Sequence, residues 1–157
     1  MRSVRSINAD AVTALPAKKA ASAQYAALPY RETANGLEFL LITTRRTRLW
    51  IVPKGWPMYG RAPHAAAARE ALEEAGVCGE IGEKSIGSYR YFKERKTGEL
   101  VPCKVDVFAL KVKQQRKNWA EKEMRELRWC SINEALTCVG EPGLRQIIRR
   151  FAASYAK

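Results

Sequence analysis

The chain contains no run approaching the ~18 apolar residues that a membrane-spanning helix needs, and its N-terminus lacks the continuous apolar core of a secretory signal. Both absences argue against insertion or secretion, and a cytoplasmic location is expected. Cysteine is sparse: Cys78, Cys103, Cys130 and Cys138 form no C-x-x-C pair and sit mostly in or beside apolar runs. They read as reduced, structural thiols. Histidine occurs once, at His64, and reads as a surface residue at a helix start. No segment repeats, which sets aside solenoids and arrays. Acidic residues are the remaining scarcity, with 16 Asp and Glu against 28 Lys and Arg, a formal +12. In the first twenty residues Arg2, Arg5, Lys18 and Lys19 face only Asp10, so +9 of the +12 belongs to the rest of the chain. A folded body this basic favours anionic ligands such as polyphosphates or nucleic acid.

At 157 residues the chain makes one domain. Residues 1–22 show no sustained periodicity and are expected to form a disordered or weakly helical lead-in to a domain over 23–157. Strands are predicted over 23–31 and 38–45, joined at the turn dipeptide Asn35-Gly36, and over 49–52, where Pro53 stops the strand. Residues 54–62 read as an irregular loop. A helix is predicted over 63–75, with Pro63 in its first turn and Gly76 after its last. Long strands follow over 79–93 and 100–113, with a short one over 127–130 anchored by Trp129. Ser131 and Glu134 have the spacing of a capping box, and a closing helix is predicted over 142–155. The pattern predicts an α/β (α+β) domain, a mixed β-sheet sandwiched between helices.

Chemistry concentrates in residues 55–77. On a helix, Glu70, Glu73 and Glu74 fall within one arc of about 100°, while Ala68, Ala71, Leu72 and Ala75 cluster opposite and predict a core-facing side. Three carboxylates crowded on one face repel unless cations neutralise them, and Mg2+ or Mn2+ suits an open acidic face that leaves positions for water and phosphate oxygens. Arg69, four before Glu73, has the spacing of an ion pair. Arg45, Arg46, Arg48 and Lys54 converge on the entrance to this segment as a candidate phosphate-facing wall, to which Arg31, Arg90 and Lys93 add if their strands are neighbours.

The segment resembles the Nudix box, G-x5-E-x7-R-E-U-x-E-E-x-G-U with U aliphatic. Gly55 takes the first position, Arg69-Glu70 the R-E pair, Ala71 the U, Glu73-Glu74 the E-E pair and Gly76-Val77 the end; Arg61 replaces the first glutamate. The resemblance implies the Nudix fold and metal-dependent hydrolysis of a phosphoanhydride. Gly55, through its carbonyl, with Glu70, Glu73 and Glu74 would hold the metal, and Glu70, Glu73, Glu74 and Arg69 would form the catalytic set. Arg45, Lys54, Arg61, Arg31 and Arg90 are the candidate substrate-binding residues. A carboxylate to replace the missing one would come from Glu94, Glu99, Glu121 or Glu123. Thr43-Thr44-Arg45, the run 50–55 (WIVPKG) and the stretch 121–135 resemble diphosphoinositol polyphosphate phosphohydrolases, which implies diphosphoinositol or dinucleoside polyphosphates as substrates. Alternative readings are a nucleoside-triphosphate or RNA 5′-end pyrophosphohydrolase and a noncatalytic nucleotide- or nucleic-acid-binding module. Nucleic acid is the less favoured partner, and a homodimer is left open.

Overall fold

A computed structural model describes residues 21–156. The expected lead-in thus falls outside the described residues, except that Ser22 already belongs to the first strand. The elements are β1 (Ser22–Thr33), β2 (Gly36–Thr43), β3 (Trp50–Ile51), β4 (Lys54–Gly55), α1 (Pro63–Ala75), β5 (Val77–Ile81), β6 (Gly87–Glu94), β7 (Leu100–Gln115), β8 (Leu127–Ser131), α2 (Ile132–Cys138) and α3 (Pro142–Tyr155). All eight strands join one sheet with the path β3-β2-β1-β7-β5; β4 pairs with β1, β6 with β7 and β8 with β2. β1 and β7 run parallel and the other pairs antiparallel, so the sheet is mixed, as expected.

Alternation along β1 feeds two cores. Ala26 and Leu28 face a layer closed by α2 and α3 through Ala135, Leu144, Ile147 and Ile148. Ala27 faces the other layer with Leu40, Ile42, Phe108 and Leu110, closed by Ala67, Ala71 and Ala75 of α1. Alanine at i, i+4 and i+8 leaves no bulky side chain between helix and sheet, so α1 approaches closely.

Two departures from the sequence pattern shape the site. β2 parts from β1 beyond Tyr30, where their pairing begins. The chain at 53–55 fills the gap beside the N-terminal half of β1: Ala27 N donates to Pro53 O (3.0 Å), and Tyr25 and Ala26 pair with Gly55 and Lys54. Residues 54 and 55, read as loop, are therefore strand; two residues carry no period, and only the exposed edge of β1 recruits them. The second departure splits the strand expected over 79–93 into β5 and β6. Both lie along the same edge of β7, but between Gly82 N and Ile86 N, which still donate to Ala109 O and Val107 O of β7, residues 83–85 leave the sheet in a turn in which Ser85 Oγ donates to Gly87 O and accepts from Gly87 N. The box helix and closing helix occupy their predicted residues, and the Ser131–Glu134 capping box forms reciprocally.

Candidate active site

α1 does not divide into a binding face and an opposite anchoring face. Its fully buried positions are Ala66, Ala67, Ala71, Glu74 and Ala75, while Ala68 and Leu72 are only half-buried. The packed stripe is thus rotated so that Glu74 lies inside it, Glu70 at its edge and Glu73 outside. The cause is β4: its backbone offers Glu74 a partner that the sequence pattern does not show, Lys54 N donating to Glu74 Oε1 at 3.2 Å. Glu73 instead accepts from Arg69 Nε at 2.7 Å on the half-exposed side.

Glu74 is 6% exposed, and the guanidinium of Arg125 reaches it from the segment before β8, Nη2 to Oε2 at 3.4 Å. Arg125 is as deeply placed and is fully engaged: Nε donates to Glu121 Oε1 (2.9 Å) and Nη1 to Thr43 O (3.0 Å). Two carboxylates, Glu74 and Glu121, therefore pair with one buried cation, and Glu70 lies beside Glu74. Burial pushes the Glu74 carboxyl up to about 8; Arg125 pulls against that, and Glu70 and Glu121 add to it. Burial also raises Glu70, opposed by a hydrogen bond with Glu74 and reinforced by repulsion from Glu73 and Glu121. Without added cations, Glu70 and Glu74 share a proton near neutral pH, because two adjacent carboxylates in a desolvated place do not both ionise.

Gly55 holds this pair against the sheet. A Cβ at Gly55 would lie 2.0 Å from Glu70 Oε2 and 2.4 Å from its carboxyl carbon, so only glycine allows β4 and Glu70 to meet. Gly55→Ala is expected to displace the Glu70 carboxylate and reduce any divalent-cation affinity by about tenfold or more, within the range for disturbing a ligand's support. Calorimetric titration with Mn2+ checks this, and an unchanged affinity would show that Glu70 tolerates the shift.

Among the described residues, no three His, Cys, Asp or Glu side chains already converge on one point as closed metal ligands. The set still fits an oxygen-ligated dication. Its donors are hard carboxylate oxygens, the glycine cradle leaves the approach to Glu70 clear, and the pair's raised proton affinity marks negative charge that lacks compensation. Glu70, Glu74 and Glu121 are the side chains the fold gathers; Glu73, placed among the expected ligands, is turned to Arg69.

The basic residues divide among several places. Arg45 and Arg48 bracket Met124: Arg45 Nη1 lies 3.9 Å from Met124 Sδ, and Arg48 Nη1 donates to Thr43 Oγ1 (3.2 Å) and Met124 O (3.4 Å). They therefore meet Arg125 around Thr43. Arg61 is exposed in the loop leading into α1 and makes no side-chain ion pair among the described residues. Lys54 turns to the sheet face away from α1, its Nζ 4.8 Å from the ring centroid of Tyr91, whose hydroxyl donates to Gln24 Oε1. Burial lowers the Lys54 pKa, with attraction from Glu74 opposing and Lys93 assisting. Arg31 does not join this group. It pairs with Glu38 and lies over the Trp129 ring at 3.9 Å, five residues along β1 from Ala26 and so roughly 17 Å from the β4 pairing. Arg90 is exposed on β6 opposite Lys104.

Sequence reading did not single out Arg125 and left Glu121 as one of four loop candidates. Their signal is the one-turn spacing within residues 121–125, which gives a Glu–Arg ion pair here. Sequence alone could not show that the pair folds back under Glu74.

The chain is similar in sequence and in fold to known proteins. A mitochondrial Nudix hydrolase 12 of Arabidopsis thaliana is 33% identical over 120 residues, covering 74% of this chain and 59% of that protein. A diphosphoinositol polyphosphate phosphohydrolase 3-alpha of Mus musculus is 30% identical over 113 residues, covering 71% of this chain and 65% of that protein. The chain spans only about three-fifths of the length of the first of these, and 62% and 63% of two further Arabidopsis Nudix hydrolases. Among solved structures, a C. elegans Ap4A hydrolase binary complex superposes with a TM-score of 0.65 at 25% identity, over 86% of this chain and 98% of that one. The NUDIX domain model matches residues 24–151, from the buried Gln24 of β1 through the whole carboxylate site to Phe151 of the closing helix, and with that span the chain belongs to the Nudix family.

Proposed function

We propose that this chain is a divalent-metal-dependent hydrolase that cleaves a phosphoanhydride bond in a highly anionic small molecule, a diphosphoinositol or dinucleoside polyphosphate. The observation that carries the reading is the Glu70–Glu74 pair, desolvated against Gly55 with Glu121 beside it and one buried arginine behind. Burying like charges together is costly, and a site whose ligand compensates them gives that cost a purpose. A bound Mg2+ or Mn2+ would polarise the phosphoryl oxygen and lower the pKa of a water.

The remaining work falls to the chain's own groups. Glu70, half-exposed at the mouth, is placed to receive a proton on its carboxylate, and Glu74 and Glu121 are held by Arg125 as fixed oxygen donors. Glu121, from the segment before β8, supplies a carboxylate in place of the one that Arg61 removes from the box. Arg69 keeps Glu73 away from the pair. Arg45 and Arg61 make up the phosphate-binding cations, and Arg61, without an ion pair among the described residues, suits a substrate that brings extra negative charge. Exposed Trp56 and Tyr59, 45% and 106% accessible in the loop after Gly55, favour a substrate with a ring to cover them, which points to the dinucleoside member of the pair.

A panel of diphosphoinositol polyphosphates, dinucleoside polyphosphates, nucleoside triphosphates and 5′-triphosphate RNA, assayed with Mg2+ and with chelator, tests the proposal. Metal-dependent product release is expected from the first two classes. No release from any of them, or release undiminished by chelator, would refute it.

A further inference from the structure

Residues 116–126, between β7 and β8, are strapped over the C-terminal end of α1. Gln115 Nε2 donates to Ala75 O and Gly76 O (3.1 Å each), Arg116 N to Gly76 O (2.8 Å), and Glu121 N to Glu73 O (3.0 Å). Trp119 closes the strap. A Cβ at Gly76 would fall 2.3 Å from its indole, so the ring lies directly against the glycine that ends α1. Gly76 is thus required twice, by its left-handed φ of 69° and by this contact. Among the described residues the indole Nε1 is buried without a hydrogen-bond partner, and Lys122 Nζ lies 5.4 Å from the ring centroid. The fit of the ring against Gly76 holds it by shape.

Its position gives the shape a use. Trp119 precedes Glu121 by two residues and Arg125 by six, and the intervening chain is a tight turn in which Lys122 N donates to Trp119 O and Met124 N to Glu121 O. Glu121 and Arg125 are thus held beside α1 by the Trp119–Gly76 contact on one side and by Glu121 N–Glu73 O and Arg125 Nη1–Thr43 O on the other.

We propose that Trp119 is a positioning residue: seated on Gly76, it fixes Glu121 and Arg125 against the Glu70–Glu74 pair. The inference rests on the hydrolase reading above for its kinetic consequence, but its structural consequence is measurable without it. In the full chain, Trp119→Ala is expected to keep its far-UV circular dichroism, to lose about tenfold or more in kcat, and to change KM by less than about twofold, because the displaced groups act in the chemical step rather than in general substrate binding. Mn2+ affinity falls roughly severalfold as Glu121 loses its support, and tryptic cleavage after Lys117 and Lys122 speeds up by about tenfold as the strap opens. Trp119→Phe, which retains a ring against Gly76, restores most of each loss. A merely space-filling tryptophan would lower stability while leaving kcat and strap protection in the folded protein unchanged, and that result overturns the proposal. Should Trp119→Ala fail to fold, Gly76→Ala pushes the ring away from the other side, and a Gly76→Ala protein with parental cleavage and Mn2+ affinity overturns it equally. If the parent hydrolyses no phosphoanhydride, the functional reading fails, and the cleavage and Mn2+ measurements still decide the role of Trp119.

Discussion

Glu74→Gln is expected to lower metal-dependent turnover by roughly 10²- to 10⁴-fold, the scale of losing a group that acts on a proton or its metal, while making the metal-free protein more stable at alkaline pH. The two effects share a cause. Glutamine keeps the shape of Glu74 and its contact with Lys54 N, but it removes a carboxylate that the folded protein desolvates. Folding moves Glu74 from an ordinary 4.5 up to about 8. Across that window the folded chain keeps a proton that the unfolded chain releases, so stability is full below about 4.5 and declines as pH rises through about 8. The glutamine variant lacks that contribution to the decline. Urea midpoints in chelator at either end of the window check this: the parent loses more than the variant between them. Identical pH slopes would mean that Glu74 is ionised throughout.

Arg125→Met is expected to destabilise the metal-free fold by about 3 kcal/mol at neutral pH, in the range for removing one partner of a buried ion pair. Arg125 is 9% exposed as a side chain and bonds Glu74, Glu121 and the Thr43 carbonyl at once. Methionine fills part of the space and satisfies none of the three. Protonation of Glu74 limits the damage, because the pair with Glu70 already favours the neutral form. Urea unfolding in chelator measures the loss, and a value under about 1 kcal/mol would show that Arg125 is a dispensable neighbour.

These expectations rest on parts of the molecule with different visibility in the sequence. The box helix was legible to its ends, because Pro63 and Gly76 act locally and alanine repeats at a helical period. The closing helix was legible for the same reason, and so was the Ser131 cap. The orientation of α1 was not: spacing places Glu70, Glu73 and Glu74 in one arc, but which edge of the arc is buried depends on β4, a two-residue strand that β1 recruits. The break at residues 83–85 was hidden because β5 and β6 share one edge of β7, so alternation resumes after the turn. Arg125 was least visible of all. Its chemistry with Glu74 spans 51 positions of chain and exists only after the strap has closed over α1. The basic residues taken as one wall separate for a similar reason: strand neighbours are set by the sheet, and Arg31 finds Glu38 and Trp129 before any phosphate.

Calorimetric titration of the metal-free chain with Mn2+ at pH 7, repeated in two buffers of different ionisation enthalpy, addresses the carboxylate pair itself. Binding should release close to one proton, the one that Glu70 and Glu74 share, and the doubly substituted Glu70→Gln, Glu74→Gln protein should neither bind at that affinity nor release it. Binding that survives the double substitution, or that releases no proton, would place the dication elsewhere and contradict the reading of this site.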